Sequence, residues 1–350
     1  MLIDSRIRKD WQFCTDILPQ VSRTFALNIR VLSRELRHAT AAAYLLCRIL
    51  DTVEDAAKFP VERKSALLLE GAALIRSGFT DDLGLERWVE ACKAVDGKAA
   101  DLRLLQGTAR VVRCLRSLRQ PLREAIYASC ATMAVGMADF CLRPTEARLT
   151  PVRDEADLDA YCYIVAGTVG EMLTALFQAG YPGIPQASLQ IMHQTAVSFG
   201  LALQITNITK DFIQDSKRGT CFIPETILQE AGLDAAAFAG QPPPEAIARV
   251  VRRMAIKATG HLDDAMTYTL AIPRRYWRAR LFCLWPLMMA VATLQVVCRD
   301  TEKLAGGESV KIGRDWVKRI IYRSSSRVLS NRLLEGDYRA VRREVERFAL

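Results

Sequence analysis

Histidine is almost absent, with three in 350 residues, and none of the ten cysteines stands in a Cys-x-x-Cys pair. These two shortages exclude the usual zinc and iron–sulfur ligand sets. Glycine (19) and proline (13) together fall below the ~12% of an average chain, and no polar/apolar alternation of strand length occurs. Turn-rich β architecture is thereby disfavoured. Aromatic residues are only 7% and accompany no nucleic-acid-binding motif, so no nucleic-acid partner is expected. The opening MLIDSRIRKDWQF lacks the apolar run of a secretory leader. The cysteines (Cys14, Cys47, Cys92, Cys114, Cys130, Cys141, Cys162, Cys221, Cys283 and Cys298) are scattered through apolar stretches, and reduced buried thiols in a cytoplasmic protein are the expectation.

What is present is 50% hydrophobic and 25% charged residues, enough apolar material for a large core and too much for a disordered chain. The net charge is +9, and residues 299–350 alone hold 13 basic and 8 acidic side chains. Such a balance suits an anionic ligand or peripheral contact with an anionic membrane. Helical apolar spacing recurs over roughly 8–17, 22–32, 34–57, 60–77, 84–95, 97–117, 120–143, 155–179, 185–215, 244–270, 273–302 and 311–350, the last broken. No repeat or low-complexity linker divides the chain, which predicts one all-α domain over 1–350 with a basic helical extension from about 311. The uncharged run 281–298 contains Pro286, Thr293 and Gln295, and is read as a buried core helix rather than a membrane span.

Two polar stripes interrupt this apolar pattern. Tyr44, Arg48, Asp51 and Asp55 follow one another at +4, +3 and +4, and so share one helix face. Gln204, Asn207, Asp211 and Asp215 repeat the arrangement at +3, +4 and +4. Carboxylates one turn apart repel each other, and a divalent cation removes that cost. Oxygen ligands without His or Cys select a hard ion, so Mg²⁺, with Mn²⁺ as its substitute, is expected on the pairs Asp51 with Asp55 and Asp211 with Asp215. A Mg²⁺ site that leaves positions to water and phosphate implies a diphosphate substrate that ionises to an allylic cation. Between the stripes, YCYIVAGTVG (161–170) places small residues where a helix or a bulky ligand chain could approach closely, beside the Tyr161 phenol.

Ser22-Arg23-Thr24-Phe25, Asp51-Thr52-Val53-Glu54-Asp55, the 161–170 segment, Gln204-Ile205-Thr206-Asn207 and Asp211-Phe212-Ile213-Gln214-Asp215 together resemble the squalene/phytoene synthase family, in family order from about residue 15 to 320. The resemblance implies the all-helical isoprenoid synthase fold, a central cavity flanked by two aspartate-rich helices, and head-to-head condensation of two prenyl diphosphates. It implies that Asp51, Asp55, Asp211 and Asp215, with Asn207, hold Mg²⁺. Ser22, Arg23, Arg48 and Arg218 resemble diphosphate contacts, and Phe25, Tyr44 and Gln204 join them as substrate-binding positions. Tyr161 looks like the residue that moves the proton of the first half-reaction. Lys210 stands where the family usually has Arg.

Within the family, Phe282-Cys283-Leu284-Trp285-Pro286, Met289-Ala290-Val291-Ala292-Thr293-Leu294 and Val310-Lys311-Ile312 resemble the squalene synthase branch, which uses farnesyl diphosphate and NADPH. Phe282 then looks like the aromatic of the second half-reaction, and Lys311 with Arg314 like contacts to the NADPH phosphate. Gly313 replaces a basic residue and Arg280 an aromatic of that branch, while Arg218-Gly219-Thr220-Cys221-Phe222-Ile223-Pro224 is also at home in phytoene synthases. Phytoene or dehydrosqualene synthase is the alternative, and a non-catalytic relative the third reading.

Overall fold

The computed structural model describes residues 5–143, 150–217, 221–234 and 242–349, and among them no strand occurs. The chain forms two compact units, residues 1–143 with 171–183 and residues 144–170 with 184–350.

The first unit contains α1 (Ser5–Val21), α2 (Arg23–Arg30), α3 (Arg34–Glu54), α4 (Val61–Arg76), α5 (Asp82–Ala91), α6 (Ala99–Gln106), α7 (Thr108–Arg116) and α8 (Gln120–Cys141). Short polar side chains start several of them: Ser22 caps α2 by accepting from the Phe25 N–H, and Asp81 caps α5 by accepting from the Gly84 N–H. α3 is the unit's central helix. Leu36, Leu45, Leu46, Ile49, Leu50 and Val53 are all at most 2% exposed, each worth about 1.5–3 kcal/mol of burial. A fork from Arg113 to Asp10, at 2.6 and 2.9 Å, ties α7 to α1. The single helix expected over 97–117 is instead two, α6 and α7, joined at Gly107. A Cβ there would lie 2.3 Å from the Phe13 ring, so α1 packs where only glycine fits.

The second unit contains α9 (Glu155–Cys162), a π turn (Tyr163–Gly167), the start of α10 (Thr168–Gly180), α11 (Gln186–Ser216), α12 (Glu225–Glu230), α13 (Pro244–Ala271), α14 (Trp277–Arg299), α15 (Thr301–Ala305), α16 (Arg314–Arg327) and α17 (Asn331–Ala349). α12 falls where no helix was expected. The 311–350 pattern breaks after Arg327, and α17 buries Leu334, Tyr338 and Val345. Along 281–298 every residue is buried except Pro286, Thr293 and Gln295, the three that lower its apolarity. By length and composition alone, residues 155–180 and 274–299 are each apolar enough to cross a membrane; 56% and 78% of their most apolar windows are buried within the protein. All ten cysteines are free thiols, nine of them buried and Cys141 half-buried.

The small residues of 161–170 serve helix packing. A Cβ on Gly170 would lie 1.9 Å from the Ala196 carbonyl oxygen, and one on Gly200 would lie 2.1 Å from that of Ala166. It is the backbone of α11 that takes the space. Gly170→Ala or Gly200→Ala should therefore force backbone apart and cost about 1–3 kcal/mol, read as a lowered thermal midpoint. Gly260→Ala, whose Cβ meets nothing within 4 Å, should be neutral or stabilising by up to about 1 kcal/mol. Equal midpoints for all three variants would contradict this account of the packing.

Candidate active site

In α3 and its cap, from Ala42 to Asp55, only Tyr44, Arg48, Asp51, Glu54 and Asp55 escape burial. The stripe anticipated from spacing is thus the one face this helix leaves open. It gains Ser22 and Phe25 from the start of α2: the Ser22 hydroxyl neighbours the Tyr44 phenol, and the Phe25 and Tyr44 rings lie 5.0 Å apart. Arg23 opens α2 as an exposed side chain. The structure therefore groups Ser22, Phe25, Tyr44, Arg48, Asp51 and Asp55 in the first unit.

Two features of this group lie outside the sequence reading. Asp101 on α6, 5% exposed, accepts a fork from Arg48 Nε and Nη2 at 2.9 and 3.0 Å. Arg48 Nη1 stands 3.8 Å from Asp51. Arg48 is thus aimed across the stripe by a buried carboxylate fifty-three residues away, for which the sequence holds no periodic signal. Glu54 is the second addition, visible in the DTVED string yet off the strict i, i+4 spacing.

Position along the helix sharpens the electrostatics. α3 ends at Glu54, and Asp55 is its cap, donating its N–H to the Asp51 carbonyl at 2.8 Å. Three carboxylates thus gather where the helix dipole is negative, an unfavourable place for anions. Partial desolvation by the packed residues around the stripe, then the neighbouring Asp55 carboxylate, push the Asp51 carboxyl up to about 7, with Arg48 opposing. Burial likewise raises Glu54 and Asp55.

In the second unit, Gln204, Asn207, Asp211 and Asp215 lie on α11 and none is buried, whereas Ile205, Thr206, Ile208, Thr209, Phe212 and Ile213 are. Asp211 and Asp215 again occupy the last two turns of their helix. Lys210 Nζ pairs with Asp211 at 2.7 Å. Arg218 lies outside the described residues. Tyr161, 5% exposed, stacks on Phe222 with centroids 4.3 Å apart and planes 11° from parallel. Phe282 is buried in α14, 4% exposed. Lys311 and Arg314 are exposed at the entry to α16, and among the described residues neither has an ion-pair partner. A cleft of about 720 Å³ runs along Asp263, Leu270, Tyr338 and Arg342 and contains none of the anticipated site residues.

The squalene/phytoene synthase family model matches residues 18–316. The squalene synthase of Mus musculus is 30% identical over a 320-position alignment that covers 88% of this chain and 71% of that protein. This chain belongs to the squalene/phytoene synthase family. It is accordingly an enzyme of the prenyl-transferring type. Among solved structures, a TcSQS–ligand complex superimposes with a TM-score of 0.79 at 28% identity, covering 99% of this chain and all of that one. A ligand complex of a dehydrosqualene synthase gives 0.57 at 18% identity, covering 93% and 98%, and shares the isoprenoid synthase fold of this family member.

The side chains present fit the groups the family implies. Among the described residues no three or more His, Cys, Asp or Glu side chains converge to hold a metal ion by themselves, so the protein offers carboxylate pairs only. Carboxylate pairs of this kind suit Mg²⁺, which keeps several water or phosphate ligands. The exposed, unpaired cations at 311 and 314, beside a Gly313 with open space around it, suit a nucleotide phosphate.

Asp51 supplies a pH test. Its folded value lies above the ordinary 3.8, so between about pH 4 and 7 the folded protein binds more protons than the unfolded chain, and stability is lost as pH rises through that window. In chelator at pH 7.5, Asp51→Asn should therefore melt above the parent. The gain should be of order 1 kcal/mol, because 34% of the Asp51 side chain remains exposed and solvent screens the effect. The gain should vanish towards pH 4. Addition of Mg²⁺ with pyrophosphate should stabilise the parent more than the variant. A pH-independent difference between the two proteins would refute the assignment.

Proposed function

We propose that this family member is a squalene synthase, joining two farnesyl diphosphates head to head into presqualene diphosphate and reducing that with NADPH to squalene. The observation that carries the reading is the pair of aspartate stripes, each in the final turns of a helix where the residues between the stripe positions are mostly buried. The 30% identity to squalene synthases over 88% of the chain supports the branch.

In this reading Asp51 with Asp55, and Asp211 with Asp215 and Asn207, hold Mg²⁺, which when bound neutralises charge on the departing diphosphate. Ser22, Arg23, Arg48 and Arg218 orient the diphosphate, and Asp101 holds the Arg48 fork in place. Phe25, Tyr44 and Gln204 line the substrate beside them. When the C–O bond of one donor breaks, its C1 bonds to the C2=C3 alkene of the second. Loss of one proton then closes the cyclopropane, and Tyr161 is assigned to move that proton. Its stacking on Phe222 fixes the phenol plane. In the second step the remaining diphosphate departs and NADPH supplies the hydride. Phe282 offers its π face to the cationic intermediate, and Lys311 with Arg314 holds the nucleotide phosphate. The buried apolar residues around both stripes exclude water that would otherwise quench a cation.

Arg280 favours a second reading, dehydrosqualene or phytoene formation without nucleotide. It is 1% exposed and bonds the Ile272 carbonyl and Asn331, where the squalene synthase branch has an aromatic.

Products from farnesyl diphosphate and Mg²⁺ separate the two. Without NADPH the expected product is presqualene diphosphate, and with NADPH squalene. Asp51→Ala and Asp211→Ala should each lower turnover by at least about a hundredfold. Lys311→Glu should spare the first step and impair the second. A conjugated triene formed equally with and without NADPH would replace squalene synthase by dehydrosqualene or phytoene synthase. Full turnover of both aspartate variants in chelator would remove the metal-dependent mechanism.

A further inference from the structure

Two stretches of the chain, 265–299 and 316–334, contain no acidic residue, and each carries five basic ones. The second unit brings them together. Arg280 Nη2 donates to Asn331 Oδ1 at 2.7 Å, joining the start of α14 to the start of α17. Arg280 is buried, and among the described residues no carboxylate pairs with it. Its charge is therefore left to the surroundings.

The surface around this junction combines cations with large apolar side chains. Trp277, one turn before Arg280 on the same side of α14, is 40% exposed; Leu329 and Leu333, flanking Asn331, are 58% and 47% exposed. These are three of the 13 exposed large apolar residues among the described ones, all within three residues of the Arg280–Asn331 bond. Arg274, Arg275 and Arg278 surround Trp277 and are all exposed. The Arg278 guanidinium lies 4.9 Å from the Trp277 ring centroid, and that of Arg275 lies 5.0 Å from the Tyr276 ring. Trp and Tyr favour the headgroup level of a bilayer, Leu the acyl boundary, and Arg the anionic surface.

We propose that this face docks peripherally on an anionic lipid bilayer, with Arg274, Arg275 and Arg278 against the headgroups and Trp277, Leu329 and Leu333 entering the interface. The assignment is independent of the reaction proposed above, and its test needs no turnover. Full-chain protein is sedimented with vesicles of phosphatidylcholine alone or mixed about equally with phosphatidylglycerol, at low and high salt. Binding to the mixed vesicles is expected, weakening with salt and absent on phosphatidylcholine.

Combined Arg274→Glu, Arg275→Glu and Arg278→Glu should weaken binding by about a hundredfold or more. Trp277→Ser with Leu333→Ser should lose roughly tenfold and remove the salt-resistant part. The same charge change at the exposed Arg63, Arg76 and Arg87 of the first unit should leave most of the binding. No binding to mixed vesicles, or equal losses for both charge-reversed sets, would overturn the proposal. So would binding that ignores Trp277 and Leu333 and is matched by heparin, which marks a general polyanion surface.

Discussion

Acidic side chains at the C-terminal end of a helix are held against the field of that helix, and here the arrangement occurs twice, at Asp51 with Asp55 and at Asp211 with Asp215. The opposing cost is met by the fold in different ways. In the first unit Arg48 could neutralise Asp51, yet its fork is committed to Asp101, leaving a 3.8 Å approach as the residual contact. In the second unit Lys210 pairs directly with Asp211. One stripe thus keeps raised carboxyl pKa values while the other carries its own counter-ion. Both rest on helix ends whose flanking residues are buried, so neither can turn away to relieve the repulsion.

That packing explains how much could be read in advance. The open faces of α3 and α11 follow from spacing, because a helix with one polar stripe among buried residues has one way to sit. The 281–298 helix was equally legible: Pro286, Thr293 and Gln295 mark its half-exposed positions. What stayed hidden depends on partners distant in sequence. Asp101 is a single acid in KAADLRLL, and its role exists only because α6 packs against α3. That glycine is needed at the 107 break follows from the ring of Phe13 lying against it. Stacking of Phe222 on Tyr161 joins residues on either side of α11 in the chain.

Arg280 shows a resemblance and a physical reading pulling in different directions. As a departure from an aromatic pattern it weakens the link to the squalene synthase branch. As a buried cation it pins the start of α17 to α14 through Asn331 and the Ile272 carbonyl, while its Nε lacks a partner among the described residues. The substitution exchanges ring packing for a polar clasp and leaves positive charge beneath the exposed Arg274, Arg275 and Arg278.

The π turn at Tyr163–Gly167 acts as a register shim. An α-helix advances 100° per residue, so one residue accommodated in a wider turn rotates everything before it relative to everything after it. Gly167 and Gly170 keep their contact with α11 on one side of the shim, while Tyr161 meets Phe222 on the other. Shortening the turn by one residue would restore a regular helix and swing the phenol about a quarter-turn off its stacking partner. Chain length in this short stretch therefore matters as much as residue identity for where the phenol of Tyr161 lies.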